Sequence, residues 1–146
     1  MKRFIKAFLL FVLCAVIFYF SSREGNYSQN TSDSLLAVFY PLYKLFGSLD
    51  VNDFVLKYGG FIRKCAHFAE FFLLGLLAYL NAEEFLKDRA LPVSLVFSLL
   101  YAVSDEVHQL FVPGRSGQLL DVVLDFSAAF LAIILMHYLK RRCQKE

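Results

Sequence analysis

Four apolar stretches, each long enough to cross a lipid bilayer as a helix, constrain the fold of this chain more than any other feature. They occupy residues 4–20, 61–80, 91–112 and 119–139. About 20 apolar residues, each rising 1.5 Å in an α-helix, match the roughly 30 Å hydrocarbon core of a bilayer. The composition agrees, because 58% of the 146 residues are apolar and only 19% are charged. The sequence therefore predicts an all-α, polytopic membrane protein whose single domain, residues 1–146, contains four transmembrane helices.

The first apolar stretch is predicted to remain in the protein as an uncleaved helix. Basic residues precede it, as they do in a signal peptide. However, Tyr19 and Phe20 are bulky at the end where a cleavage site requires small residues.

Two further features of the composition exclude other classes of protein. The net charge is only +2, and no basic run is interleaved with aromatic residues, so a nucleic-acid partner is not expected. The cysteines, Cys14, Cys65 and Cys143, lie in different segments without a CxxC spacing, which is typical of unpaired thiols.

The segment between the first two apolar stretches is polar at first and then rich in bulky apolar residues. Pro41 is expected to break or kink a continuous helix there. We therefore expect one or two short helices at the membrane surface, with a cap at Thr31, Ser32 or Asp33. Residues 59–60, both glycine, are expected to form a flexible join to the next helix. The alternative is that this loop is only a spacer.

The Lys and Arg residues are unevenly distributed between the two predicted sides of the membrane. One side has nine: Lys2, Arg3, Lys6, Lys87, Arg89, Lys140, Arg141, Arg142 and Lys145. The other side has six, Arg23, Lys44, Lys57, Arg63, Lys64 and Arg115, of which three belong to a polar cluster. Because positive charge is enriched in cytoplasmic loops, both termini are predicted to be cytoplasmic.

Polar and charged residues occur inside or beside these apolar stretches, where a membrane helix normally excludes them. They are Arg63, Lys64, His67, Glu70, Asp105, Glu106, His108, Gln109, Arg115, Gln118, Asp121 and Asp125. A charge at the centre of a spanning helix costs about 2.5 to 3.5 kcal/mol on insertion scales. So many of them in two short segments indicate a function.

The predicted topology places all of these residues at the outer ends of the second, third and fourth helices. Their spacing of three and four residues also puts each set on one helix face, as for Gln118, Asp121 and Asp125. The sequence therefore predicts a polar pocket that opens outward.

Several roles for the pocket are open at this stage. Its five carboxylates cannot all stay ionised and unpaired in a medium of low dielectric constant. They can form a purely structural network, or the basic residues Arg63, Lys64 and Arg115 can bind a phosphate or carboxylate. A divalent metal is a third option, with ligands drawn from His67, Glu70, Asp105, Glu106 and His108. A histidine beside a carboxylate can also act as a general base.

The same segments resemble the VanZ-like family of small bacterial membrane proteins. The matching residues are Phe20, Ser21 and Ser22, then Lys64, His67 and Glu70 in KCAHFAE, then the run DEVHQLFVPGR that ends at Arg115, and finally Asp121. Asp125, Ala128 and Phe71 depart from the pattern, which often has Asn, Gly and Tyr there. The resemblance implies a four-helix integral membrane protein, and the founding member of the family is linked to low-level resistance to the glycopeptide teicoplanin.

The leading functional hypothesis is an outward-facing site in the cell membrane that binds a cell-envelope amphiphile. Whether the protein also modifies this ligand is left open by the sequence. The expected partners are membrane lipids and a lipid-linked cell-wall precursor or lipoglycopeptide. The family resemblance adds the expectation of a role in glycopeptide resistance. The predicted binding residues are Arg63, Lys64, Gln109, Arg115 and Asp125. The candidate catalytic residues are His67, Glu70, Asp105, Glu106 and Asp121, with no cofactor specified and no metal ligand assigned.

A small proton-coupled transporter or lipid flippase, completed by a homodimer, is the alternative. In that case Glu70 or Asp125 carries the coupling proton. A metal-dependent membrane hydrolase is a weaker third option.

Overall fold

The computed structural model describes residues 2–23, 25–45, 47–115 and 117–143. Within these residues the chain forms five α-helices and no strand. They are α1 (Lys2–Ser21), α2 (Gly25–Tyr43), α3 (Val51–Leu86), α4 (Ala90–Gln109) and α5 (Leu119–Cys143), with a 3-10 turn at Lys87–Arg89 between α3 and α4. The prediction of an all-α protein is confirmed.

Three segments of the described chain are long and apolar enough to cross a membrane: Arg3–Ser21, Val51–Gln109 and Leu119–Cys143. The middle one holds both α3 and α4. Many large apolar side chains on these helices are exposed, such as Phe4, Phe8 and Phe11 on α1. Lipid is the medium in which such a surface is stable.

Helices α1, α3, α4 and α5 pack side by side around two buried clusters. Ile17 of α1, Phe71 of α3, Ala102 of α4 and Ala128 of α5 belong to the first cluster. The second contains Tyr79 and Ala82 of α3, Ala90 of α4 and Ile133 of α5. From the first cluster to the second, residue numbers rise along α3 and α5 but fall along α4. Helix α4 therefore runs antiparallel to α3 and α5.

Helices α3 and α5 approach each other closely at a glycine. A Cβ atom added to Gly75 would lie 2.7 Å from the Cα atom of Ala129, which is too close for any side chain. Ala128, Ala129 and Ala132 on the facing side of α5 are fully buried. Small residues that let helix backbones meet are typical of membrane bundles, and these three alanines allow the close approach of α5 to α3.

The second predicted helix, residues 61–80, is too short. Helix α3 has 36 residues and is therefore about 54 Å long. The predicted flexible join at residues 59–60 is wrong, because both glycines lie inside α3. Each costs a helix about 1 kcal/mol relative to alanine. Packing of α2 against this part of α3 offsets that cost.

An aromatic cluster supplies this packing. The ring of Phe54 in α3 lies 4.4 Å from that of Tyr43 and 5.7 Å from that of Tyr40, both in α2. Gly59 is buried beside α2, where an added Cβ atom would lie 3.2 Å from an Asp33 carboxylate oxygen. These long-range contacts explain why α3 begins ten residues earlier than the sequence predicts.

The segment predicted to contain one or two short helices forms the single helix α2, which packs on α3. It already begins at Gly25, so the predicted caps at Thr31, Ser32 and Asp33 lie inside the helix and are wrong. Pro41 lies in the last turn and does not break the helix, which continues to Tyr43. A proline so near the end of the helix disturbs few backbone hydrogen bonds.

The other predicted boundaries shift by a few residues. Helix α1 begins at Lys2 rather than residue 4 and ends one residue late, at Ser21. Helix α4 ends at Gln109 instead of residue 112, because the N–H groups of Phe111 and Val112 donate to carbonyls only three residues back. Helix α5 continues past residue 139 to Cys143, with Lys140, Arg141 and Arg142 in its last turn. Basic side chains stabilise the negative end of the helix dipole, which favours this extension.

Ion pairs join the two described ends of the chain at one end of the bundle. Arg3 and Lys6 of α1 pair with Glu84 at 2.8 and 2.7 Å, and Lys140 of α5 pairs with Glu83. The polar residues singled out by the sequence lie at the opposite end.

Candidate functional site

A cavity of about 210 Å³ lies between the middle part of α3, the last turn of α4, the first turns of α5 and the loop between α4 and α5. It is lined by Gly60, Arg63, Lys64, His67, Glu106, Gln109, Gly114, Arg115, Gln118, Asp121, Leu124 and Asp125. Eight of the ten predicted site residues are in this lining. Of the other two, Asp105 is buried beside His67 and Asp125, whereas Glu70 lies one turn further along α3 and does not line the cavity.

Arg115 fastens the loop between α4 and α5 to the end of α1. Its Nε donates to the carbonyl of Arg23 at 3.0 Å, and a terminal nitrogen donates to the carbonyl of Phe20 at 3.1 Å. Burial, and secondarily the charge of Arg63, lower the pKa of the Arg115 guanidinium, but arginine stays protonated in proteins. Arg115 therefore supplies a fixed positive charge in the cavity wall.

Glu106 holds the other end of the same loop. The backbone N–H of Gln118 donates to one of its carboxylate oxygens at 2.5 Å. Gly114 has a φ of 74°, a left-handed conformation that favours glycine and lets the chain reverse here. The second carboxylate oxygen of Glu106 is buried without a hydrogen-bond partner among the described residues.

Gln109 links two side chains within α4 and also links α4 to α1. Its side-chain nitrogen donates to Asp105 at 2.9 Å and lies 3.4 Å from the hydroxyl of Ser21. All three side chains are buried. Gln109 therefore fixes the orientation of the Asp105 carboxylate.

The basic residues of the cavity differ in how they are paired. Lys64 forms an ion pair with Asp121 at 2.8 Å, at a partly exposed position. Arg63 is half-buried and makes no ion pair with a carboxylate of the described residues. Its guanidinium is thus the cation of the lining that is most available to a ligand.

Three side chains meet beside the cavity, one from each of α3, α4 and α5. They are His67, Asp105 and Asp125, and one potential ligand atom from each lies within 4.8 Å of the others. The Nδ1 atom of His67 is 3.9 Å from a carboxylate oxygen of Asp125. His67 and Asp105 are among the metal ligands considered from sequence. The structure places both of them close to Asp125, which was not.

His108 lies apart from the cavity lining. Its ring stacks on Phe18 of α1, with ring centroids 4.3 Å apart and an angle of 26° between the planes. This contact gives His108 a packing role between α4 and α1.

Sequence reasoning missed the contribution of α1 to the site. The carbonyls of Phe20 and Arg23 and the hydroxyl of Ser21 hold Arg115 and Gln109 in place. The available signal was the FSS run at the end of the first apolar stretch, which is among the residues that resemble the VanZ-like family.

These features define the class of protein: a small, all-helical membrane protein with a polar cavity at one end of its helix bundle. The profile of the VanZ/LLP1 family matches residues 6–140, nearly the whole chain, and the protein therefore belongs to this family. The resemblance seen in the sequence motifs is confirmed. Comparison with curated proteins and with solved structures finds no match.

Proposed function

We propose that the cavity binds the anionic head group of a cell-envelope amphiphile. The observation that carries the proposal is the half-buried Arg63, which has no ion pair among the described carboxylates and lies in the same cavity as Arg115 and Lys64. The planar guanidinium presents paired N–H donors that match a phosphate or carboxylate group. An anion there pairs with a guanidinium that forms no ion pair with the described carboxylates.

Apolar side chains near the cavity support an amphiphile rather than a free anion. Four large ones flank the loop between α4 and α5 and are strongly exposed: Leu110, Phe111, Leu119 and Leu120. A head group in the cavity can therefore continue into an acyl or prenyl chain along these residues. This arrangement favours a polyprenyl-linked wall precursor, a phospholipid or a lipoglycopeptide.

In this proposal, α1, α3, α4 and α5 cross the bacterial cell membrane, with the cavity outside and both termini in the cytoplasm. The excess of basic residues near the opposite end of the bundle supports this orientation. A helix of about 54 Å exceeds the roughly 30 Å hydrocarbon core, so the start of α3 extends beyond it with α2 packed alongside. This layer then lies at the outer membrane surface.

The remaining site residues shape the cavity in this proposal. Gln109 and Asp125 complete the binding surface, and His67, Asp105, Glu106 and Asp121 supply acid and base groups to any chemistry on the ligand. Glu70 lies outside the lining and has no direct ligand contact in this proposal. Capture of a lipid-linked precursor or lipoglycopeptide is the route by which such a protein contributes to glycopeptide resistance.

The proposal is tested by lipid binding to the purified full-length protein in detergent. The probe is a polyprenyl phosphate, and the neutral polyprenol is the comparison ligand. Arg63→Ala is expected to weaken phosphate binding about 10- to 100-fold, as expected for loss of hydrogen bonds to a charged group. Arg89→Ala removes the same charge at an exposed position between α3 and α4 and is the matched control. Equal binding by wild type and Arg63→Ala, or equal affinity for phosphate and polyprenol, would contradict the proposal.

A further inference from the structure

The strongest unexplained feature of the site is a group of buried polar atoms that lack partners. One carboxylate oxygen of Asp105, one of Asp125 and the Nδ1 atom of His67 are buried without a hydrogen bond among the described residues. The two aspartates are only 4% and 2% exposed. Leaving such atoms unsatisfied is costly, so the arrangement indicates a bound species.

The neighbouring basic residues do not supply that species. Lys64 is paired with Asp121, and the guanidinium of Arg115 donates to the carbonyls of Phe20 and Arg23. The described residues thus provide no hydrogen-bond donor to the free oxygens of the two aspartates. A small cation that binds all three side chains satisfies them together.

The candidate ligand atoms of the three side chains converge on one point beside the cavity. They come from three different helices and lie within 4.8 Å of one another. In a tetrahedral Zn²⁺ site with ligands about 2.0 to 2.2 Å from the ion, the ligand atoms are about 3.3 to 3.6 Å apart. The three atoms therefore need to approach one another by about 1 Å to share one coordination sphere.

The surroundings also resemble those of a metal site. Gln109 donates to one oxygen of Asp105 and leaves the other free. Outer hydrogen bonds of this kind orient metal ligands and tune their affinity. His67 and Asp125 line the cavity, so the remaining coordination positions face its interior.

We infer that His67, Asp105 and Asp125 bind one divalent transition-metal cation, of which Zn²⁺ is the best match to mixed imidazole and carboxylate ligands. This inference does not depend on the lipid ligand proposed above. An ion here neutralises two buried carboxylates and presents a positive charge to any anion that enters the cavity from the side of Arg63.

The test is metal binding by the full-length protein in detergent, after treatment with a chelator and its removal. Zn²⁺ alone is the probe, and its uptake is measured by elemental analysis and by titration. The wild type is expected to bind one equivalent. Asp125→Asn and His67→Gln are expected to lower the affinity at least about 100-fold, beyond the 10- to 100-fold typical of losing an outer partner.

Two control variants separate this site from general binding by acidic groups. Asp53→Asn removes an exposed carboxylate from the first turn of α3, and His137→Gln removes an imidazole near the opposite end of the bundle. Both are expected to keep the wild-type affinity for Zn²⁺.

A spectrum of the wild type tests the site without any variant, so its result does not depend on whether the variants fold. Co²⁺ is expected to give visible absorption bands of an ion with a nitrogen ligand, and Zn²⁺ to remove them. A wild type that binds neither ion would overturn the inference. A proton shared between Asp105 and Asp125 would then explain why the two carboxyl groups lie close together. Binding that is unchanged in Asp125→Asn and His67→Gln would overturn it as well.

Discussion

Arg63 and Lys64 are neighbours in sequence but differ in what surrounds their charges. Lys64 pairs with Asp121, while Arg63 has no partner among the described carboxylates. Both residues line the cavity. The sequence cannot distinguish them, because the pairing depends on which face of α5 meets α3.

The ion pair between Lys64 and Asp121 is expected to contribute little to stability. The two side chains are 51% and 30% exposed, and exposed pairs typically contribute about 1 kcal/mol or less. A double-mutant cycle with Lys64→Ala and Asp121→Ala, measured as the free energy of unfolding in detergent micelles, should give a coupling within this limit. A coupling above about 2 kcal/mol would show that the pair is effectively buried.

Eight of the ten predicted site residues line the cavity, but the grouping of His67, Asp105 and Asp125 could not be predicted from sequence. His67 and Asp105 were among the considered ligands because of their residue types and spacing. Asp125 was assigned to substrate binding, since the relative rotation of α4 and α5 cannot be read from either helix alone. The structure brings Asp125 to them and leaves Glu70 outside the cavity lining.

Helix α3 shows where local sequence signals fail. Two adjacent glycines are a good indicator of a helix end, yet α3 runs through them and also continues past residue 80 to Leu86. Contacts with the preceding helix α2 stabilise the first part of α3, and its last turns form ion pairs with α1 and α5. Four predicted apolar stretches thus identified the helices of the bundle correctly but not their full lengths.

The glycines of α3 are expected to respond oppositely to the same substitution. Gly75→Ala places a methyl group against the backbone of Ala129 and should destabilise the protein by about 1 to 3 kcal/mol, the usual cost of overpacking. A Cβ at Gly60 meets no atom within 4 Å, so Gly60→Ala should be neutral or stabilise by up to about 1 kcal/mol. Unfolding in detergent micelles measures both. Equal effects of the two variants would refute the close contact between α3 and α5.

At the level of the whole molecule, charge and packing distinguish the two ends of the bundle. One end holds the cavity, and the other holds the ion pairs that join α1 and α5 to the end of α3. The distribution of basic residues predicts which end faces the cytoplasm. The antiparallel directions of α3, α4 and α5 follow from the short connections between them, and they could be predicted from sequence.

Cysteine labelling with a membrane-impermeant maleimide tests the proposed orientation. Cys143 is exposed at the end of α5, and Ser48→Cys adds a thiol at an exposed position in the loop before α3. In a background with Cys14→Ala and Cys65→Ser, intact cells should label Ser48→Cys, whereas Cys143 should react only after permeabilisation. Labelling of Cys143 in intact cells would contradict a cytoplasmic C-terminus.

The central claim is that the cavity holds an anionic head group beside Arg63. Its most direct test is an experimental structure of the full-length protein in lipid nanodiscs that contain a polyprenyl phosphate. We predict density for the phosphate within hydrogen-bond distance of the Arg63 guanidinium, with the prenyl chain leaving past Leu119 and Leu120. A cavity that contains only solvent, with the phosphate bound elsewhere on the protein, would contradict the claim.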